Sequence, residues 1–330
     1  MASMSTERTA RRVMTTEGNK LNIIFMGTPK VAVPVLEALE KTGHQLVGIY
    51  SQPDRQSGRG RRVNPTPVKE AALGLGLPVF QPASLRRDEA AREELARLHP
   101  DLIVVAAYGL FLPAETFGLP RLNTLNVHPS LLPKYRGSSP VSAAILNGDA
   151  KTGVTLIQLD EGMDSGPIVA RQTTPIEPNE TCDALTERLF RMGADLLVDV
   201  LPEWARGEIR AEPQVEAQVT ITSRLSREDG LIDWTKSAGH IARQVRAYHP
   251  WPGTHTIWQG RTIKIIAATV SVGLASGPAG AVVALDGGVG VATGDGVLAL
   301  RSLQMEGKRP ANASDFVQGY QDFVGSTLGR

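Results

Sequence analysis

A chain of 330 residues with 42% hydrophobic and 21% charged side chains is long enough for two soluble domains, each with a core of its own. A formal net charge of +1 excludes a global field for nucleic acid, so any basic contact surface must be local. The single cysteine, Cys182, excludes an intramolecular disulfide and a cysteine-rich zinc site and fits a reducing compartment. No apolar run reaches the roughly 20 residues that a membrane-spanning helix needs.

Residues 1–20 carry Ser, Thr and Arg without an apolar core, so they read as a disordered leader rather than a secretory signal. Glu7 and Glu17 argue against a transit peptide and so favour a cytoplasmic protein. An apolar strand is expected over 21–25, followed by the turn Met26-Gly27-Thr28-Pro29. The spacing of Val31, Val35, Leu36 and Leu39 predicts a helix over 31–40, and a second strand follows over 45–50. Repeated strand–helix–strand units imply a Rossmann-like α/β fold, a mainly parallel sheet with helices on both faces. The first turn holds one glycine and no G-x-G-x-x-G, which leaves a dinucleotide site unsupported.

Segment 51–65 is basic and broken by Gly and Pro, hence an exposed loop. Its arginines Arg55, Arg59, Arg61 and Arg62 read either as a solvated face or as forks for a phosphate backbone. The pattern then predicts a helix over 67–75, a strand over 78–80, a helix over 90–99 and a doubly buried strand over 102–106.

Residues 124–128 read as a short strand that Pro129 ends. Alternation sends Asn126 and His128 to the same side, at the carboxyl end of a strand, where open α/β sheets bind ligands. An amide donor beside a titratable ring suits a reaction that builds negative charge on a carbonyl oxygen. A lone histidine there is more often a satisfied structural residue; its company tells against that reading.

A helix over 141–146 and a strand over 153–159 lead to the turn 160–167, whose Asp160, Glu161 and Asp164 lack neighbouring His or Cys and any repeated ligand spacing. No metal is expected. A strand over 168–176 and a long helix over 181–204, with Cys182 as a structural residue at its start, complete the first domain. The polar stretch 205–218 reads as a linker. Beyond it, short β-rich runs over 253–257, 262–270, 280–285, 290–293 and 297–303 suit a small β-barrel of the oligonucleotide-binding kind. The expected plan is a leader (1–20), a catalytic domain (21–204), a linker (205–218) and an OB-like C-terminal domain (219–330).

Asn126-x-His128, then Ser130-Leu131-Leu132-Pro133 and Lys134-Tyr135-Arg136-Gly137, with Asp164 downstream, resembles the signature of the formyltransferase family that uses 10-formyltetrahydrofolate. Met26-Gly27-Thr28-Pro29 with Ala32-Val33-Pro34-Val35-Leu36 resembles the opening of its methionyl-tRNA formyltransferase branch, although Lys30-Val31 departs from the usual acidic-aromatic pair. Ile232-Asp233-Trp234, Pro250-Trp251-Pro252-Gly253 and Val291-Ala292-Thr293-Gly294-Asp295-Gly296 resemble the second domain of the same branch, with Arg224 where lysine is frequent. The likeness runs from about Leu21 almost to the end.

This resemblance implies formyl transfer from 10-formyltetrahydrofolate, as co-substrate, to the α-amine of charged initiator tRNA, without a metal and by a monomer. It assigns catalysis to Asn126, His128 and Asp164. It assigns folate contacts to Ser130, Leu131, Leu132 and Pro133, and to Tyr108, Gly109 and Leu110. It assigns the tRNA acceptor arm to Arg55, Arg59, Arg61 and Arg62, with Arg59 the principal contact. Three other readings stand beside it: a nucleotide-sugar amine formyltransferase, a 10-formyltetrahydrofolate hydrolase, and a non-catalytic RNA-binding module.

Overall fold

The computed structural model describes residues 20–57, 62–271 and 277–329. The expected leader, apart from Lys20, and two of the basic residues, Arg59 and Arg61, lie outside the described residues.

Seven strands form the first sheet: β1 (Asn22–Gly27), β2 (Gln45–Tyr50), β3 (Val79–Phe80), β4 (Leu102–Ala106), β5 (Thr124–His128), β6 (Lys151–Gln158) and β7 (Ile168–Pro175), in the order β7-β6-β5-β4-β1-β2-β3. The five from β3 to β5 are parallel. β6 runs against both of its neighbours. The parallel strands bury both faces, which is why β1 and β4 are continuous apolar runs.

One face is covered by α1 (Val33–Glu40) and the 24-residue α5 (Cys182–Ala205), whose Val35, Leu36, Leu39, Leu197 and Leu201 join Ile23, Phe25, Leu102 and Val104 in a single core. On the other face Leu95, from α3 (Glu89–Arg97), meets Ile24, Met26, Ile103 and Val105. Each fully buried aliphatic chain contributes about 1.5–3 kcal/mol. Between these lie α2 (Pro67–Gly74), which starts at a Thr66 N-cap, and α4 (Pro140–Asn147).

The segment expected as a loop holds a β-hairpin. Arg55–Ser57 and Arg62–Asn64 pair antiparallel, with Arg55 opposite Asn64 and Ser57 opposite Arg62. Its base is secured by Asp54, which accepts from Lys69 Nζ at 2.6 Å and from Gln81 Nε2 at 2.7 Å.

The polar stretch after α5 is docked rather than free. Glu212 and Ile168 exchange backbone hydrogen bonds at 2.7 and 2.8 Å. Ile221–Thr222 then pairs in parallel with Arg136–Gly137, and Tyr135 N donates to Thr220 Oγ1.

The second domain is antiparallel, as its short runs predict. β8 (Thr254–Trp258), β9 (Arg261–Ser271), β10 (Val282–Leu285), β11 (Gly288–Ala292) and β12 (Val297–Met305) follow the path β8-β9-β12-β11-β10, and Ala311–Asn312 adds to β12. Two further helices, α6 (Ala238–Ala247) and α7 (Ala313–Gly319), pack Ile241, Val245 and Phe316 on Ile263, Leu298 and Leu303. The domains share an apolar contact of Val141, Ile145, Leu185 and Leu189 with Ala247 and Tyr248.

Candidate active site

The parallel strands end on one rim, and β5 is the last of them, beside the antiparallel β6. Asn126 and His128 project together there, two residues apart on β5 as alternation requires. His128 is only 4% exposed. Its Nε2 lies 3.0 Å from the Tyr135 carbonyl oxygen. A carbonyl can only accept, so Nε2 carries a proton and donates. The nitrogen left for chemistry is Nδ1, which faces Asp164 Oδ2 at 3.6 Å. Asn126 Nδ2 faces the other oxygen, Asp164 Oδ1, at 3.5 Å.

Asp164 arrives from the turn after β6. Its φ is +50°, in the left-handed region, which Asp tolerates better than most residues but at some cost. Local hydrogen bonds shape this turn: Asp160 Oδ1 accepts from Gly162 N at 3.1 Å and from Ser165 Oγ at 2.8 Å. At Gly166 a Cβ would stand 1.7 Å from the Gln158 carbonyl oxygen, so only glycine fits. The Asp164 carboxylate receives one short hydrogen bond, from Gly137 N to Oδ2 at 2.9 Å. Its contacts with Asn126 and His128 are longer than the 2.7–2.9 Å of a charge-assisted hydrogen bond, so both donors keep capacity for a ligand.

These three side chains line a cavity of ≈ 880 Å³ together with Tyr108, Gly109 and Leu110. That volume falls in the range of small-molecule sites. The Tyr108 carbonyl is fixed by Thr28 Oγ1 at 2.8 Å and Gln52 Nε2 at 2.9 Å, while burial pushes its phenol well above the usual range. Its hydroxyl is buried and has no hydrogen-bond partner among the described residues.

Ser130, Leu131, Leu132 and Pro133, the expected folate contacts, stand just behind this cavity rather than among the residues that line it. Ser130 is fully buried, and its Oγ donates to Lys134 O at 2.7 Å. Leu132 is fully buried against Ile157 and Ile168, and Arg171 Nη1 donates to its carbonyl at 3.1 Å. Leu131 Cδ2 packs toward Gly153, and the Pro133 carbonyl accepts from Thr220 N. These contacts tie the strand end into its scaffold.

Among the basic residues, Arg55 is exposed on the hairpin and Arg62 pairs through its backbone with Ser57. Among the described residues no group of His, Cys, Asp and Glu has a metal-holding arrangement. Cys182 lines the far wall; its thiol lies 3.1 Å from Ser142 Oγ and is pushed up by burial.

Several wall residues escape sequence reasoning. Arg224, Leu225 and Trp251 reach the cavity from beyond the linker, so it is completed by the second domain. Trp251 is 54% exposed, with the Arg227 guanidinium 5.9 Å from its ring centre. The motif around Trp251 signals the second domain, but nothing in the sequence aims it at Asn126. Gln214, which with Arg136 braces the Asp164 turn, also gives no local signal.

Comparison with known proteins identifies the family. The model of the formyl transferase family matches residues 20–201, and that of the formyl transferase C-terminal domain matches residues 224–321. A methionyl-tRNA formyltransferase of Roseiflexus sp. (strain RS-1) is 50% identical over 311 residues, covering 94% of this chain and 95% of its own. Among solved structures, an N-formyltransferase from Helicobacter canadensis in complex with folinic acid and dTDP-3-aminofucose is similar with a TM-score of 0.65 and 21% identity, covering 85% of this chain and 99% of its own. HypX from Aquifex aeolicus in complex with tetrahydrofolic acid is similar with a TM-score of 0.64 and 19% identity, over 93% of this chain and 48% of its own. At those identities the two structures speak for the fold alone. The chain belongs to the formyl transferase family.

Proposed function

We propose that the chain transfers the formyl group of 10-formyltetrahydrofolate to the α-amino group of methionyl-initiator tRNA. The observation that carries this reading is the 50% identity with a methionyl-tRNA formyltransferase along almost the whole of both chains. The geometry supplies a mechanism for it. An amine that attacks a formyl carbonyl creates a tetrahedral oxyanion, which donors fixed in advance stabilise. Asn126 Nδ2 and His128 Nδ1 are two such donors on one strand end. The amine must lose a proton after attack, and the departing folate nitrogen must gain one; a histidine ring can take the first and give the second. With Nε2 committed to the Tyr135 carbonyl, the traded proton resides on Nδ1. Asp164, 3.6 Å away, orients the ring and balances its charge.

In this reading Tyr108, Gly109 and Leu110 face the folate, and Ser130, Leu131, Leu132 and Pro133 form the folate-contact segment beside them. Arg55, Arg59, Arg61 and Arg62 grip the acceptor arm, Arg59 foremost. The same reading makes the protein a monomer that works in the cytoplasm, in translation initiation, with a docked linker between a catalytic and a tRNA-binding domain. The test is an acceptor comparison with 10-formyltetrahydrofolate as donor. Charged initiator tRNA should be formylated, while an amino sugar nucleotide and water should not serve. Preferential transfer to the sugar nucleotide would overturn the assignment.

A further inference from the structure

The link between the domains reaches into the catalytic centre through one side chain. Gln214 lies in the polar stretch between α5 and the second domain, yet it is only 9% exposed. Its amide is fully engaged. Nε2 donates to the Asp164 carbonyl at 2.8 Å and to the Gly166 carbonyl at 2.8 Å. Oε1 accepts from Arg136 Nε at 3.0 Å. Arg136 is itself buried, and its Nη2 meets Glu216 Oε1, two residues along from Gln214, at 2.7 Å. The next residue, Gly137, supplies the backbone N–H that holds the Asp164 carboxylate at 2.9 Å.

One amide therefore grips both sides of the catalytic carboxylate: the peptide units that carry Asp164 and the arginine beside its N–H donor. The grip falls where it is needed. Asp164 holds a left-handed backbone, with φ of +50°, a conformation that persists only when its surroundings over-determine it. Gln214 takes the carbonyl of that very residue, and Gly166 closes the same turn. A buried carbonyl left unpaired is costly; with Gln214 in place neither is.

We propose that Gln214 is a positioning residue for the formyl-transfer reaction, one that fixes the aim of the Asp164 carboxylate toward His128 and Asn126. The linker is thereby part of the active site. Gln214 touches no reacting atom and acts only through Asp164. This inference rests on the function proposed above, and the test separates the two, because wild-type formylation of charged tRNA is its reference.

The variants are Gln214→Glu and Gln214→Met. Glutamate keeps the length and the bond from Arg136 but removes both donated hydrogen bonds; methionine removes all three at similar volume. Misplacing a catalytic group by about 1 Å costs on the order of a hundredfold. Single-turnover formylation at saturating tRNA and folate should therefore fall by about 10- to 100-fold in both variants, with KM for tRNA changed less than about twofold. The same substitutions are then made in an Asp164→Ala background, where they should cost almost nothing further, since the group they aim is gone.

An equal loss in both backgrounds would overturn the proposal, because Gln214 would then act on the fold at large. Full rate in Gln214→Glu would overturn it too, since the Arg136 bond alone would then suffice. If Gln214→Met loses its fold, Gln214→Glu carries the same cycle. A wild-type enzyme inactive on charged tRNA would instead defeat the functional reading.

Discussion

Two carboxylates on the same rim of the sheet are treated in opposite ways. Asp54, at the base of the basic hairpin, is saturated: Lys69 Nζ reaches one oxygen at 2.6 Å and Gln81 Nε2 the other at 2.7 Å. The partners are tied to each other at 2.7 Å, and Gln81 also holds the Gln52 carbonyl at 2.7 Å. Hydrogen bonds from Lys69 and then Gln81 hold its carboxyl below the usual range. Asp164 has one short bond, from Gly137 N, and faces its other neighbours at 3.5 and 3.6 Å. A closed network fixes a shape. An open one keeps donors unspent for a substrate, and the protein makes up the deficit from behind, through Gln214 and Arg136. The carboxylate proposed for catalysis is thus the less satisfied of the two, with Gln214 holding the backbone that carries it.

The largest effects should come from breaking the open network. His128→Ala and Asn126→Ala should each lower the single-turnover rate by about a hundredfold or more, roughly 3 kcal/mol of transition-state stabilisation. Folate binding, followed by fluorescence titration, should persist in both. Near-normal turnover in either would remove that residue from the oxyanion site.

Next in size is the hairpin that the closed network anchors. Replacing Arg55, Arg59, Arg61 and Arg62 together with alanine should raise KM for charged tRNA by about tenfold or more. It should also flatten the salt dependence of tRNA binding, by about 0.7–0.9 in log–log slope for each phosphate that is no longer neutralised. The single-turnover rate at saturating tRNA should stay near that of the wild type. An unchanged slope would make the hairpin a solvated surface only.

The smallest effect concerns acid stability at the domain contact. Burial would raise the Glu180 carboxyl, but paired hydrogen bonds from Arg188, both at 2.8 Å, outweigh it and hold the group below its ordinary value of 4.5. A depressed carboxylate contributes stability that is present above its unfolded value and lost as pH falls through the folded one. Arg188→Leu should therefore destabilise the protein by about 1–2 kcal/mol at pH 7. That deficit should shrink below about pH 4 as Glu180 protonates. Urea denaturation at the two pH values measures it, and a deficit that grows with acid would contradict the pairing.

Local sequence carried much of this architecture, because doubly buried strands and amphipathic helices announce themselves in hydrophobic pattern. The parallel sheet, its reading at β1, β2 and β4, and the projection of Asn126 with His128 all follow from periods of 2.0 and 3.6. What stayed hidden depends on distant partners. The basic hairpin has arms of three residues among glycines and arginines, too short to show alternation. The two-residue pairing of Arg136–Gly137 with Ile221–Thr222 spans the chain and leaves no period. Gln214 sits in a polar stretch whose composition resembles a tether, and its burial comes from partners far away in the chain, Arg136, Asp164 and Gly166. Ser130 to Pro133 are legible as a motif beside the site, but their burial against Ile157 and Ile168 depends on strands the motif does not show. The helices Ala238–Ala247 and Ala313–Gly319 were not expected: Ala238, Ile241 and Val245 recur at helical spacing, but the surrounding glycines and strands dominate the pattern.

One measurement tests the contrast between the two carboxylates directly. Asp164→Asn and Asp54→Asn are compared side by side for single-turnover formylation at saturating charged tRNA and for thermal melting. Asp164→Asn should lose rate by about tenfold or more while its melting temperature is held. Asp54→Asn should keep the rate but melt earlier and need more tRNA to saturate. The opposite pattern, with Asp164→Asn fully active and Asp54→Asn slow at saturation, would contradict the contrast.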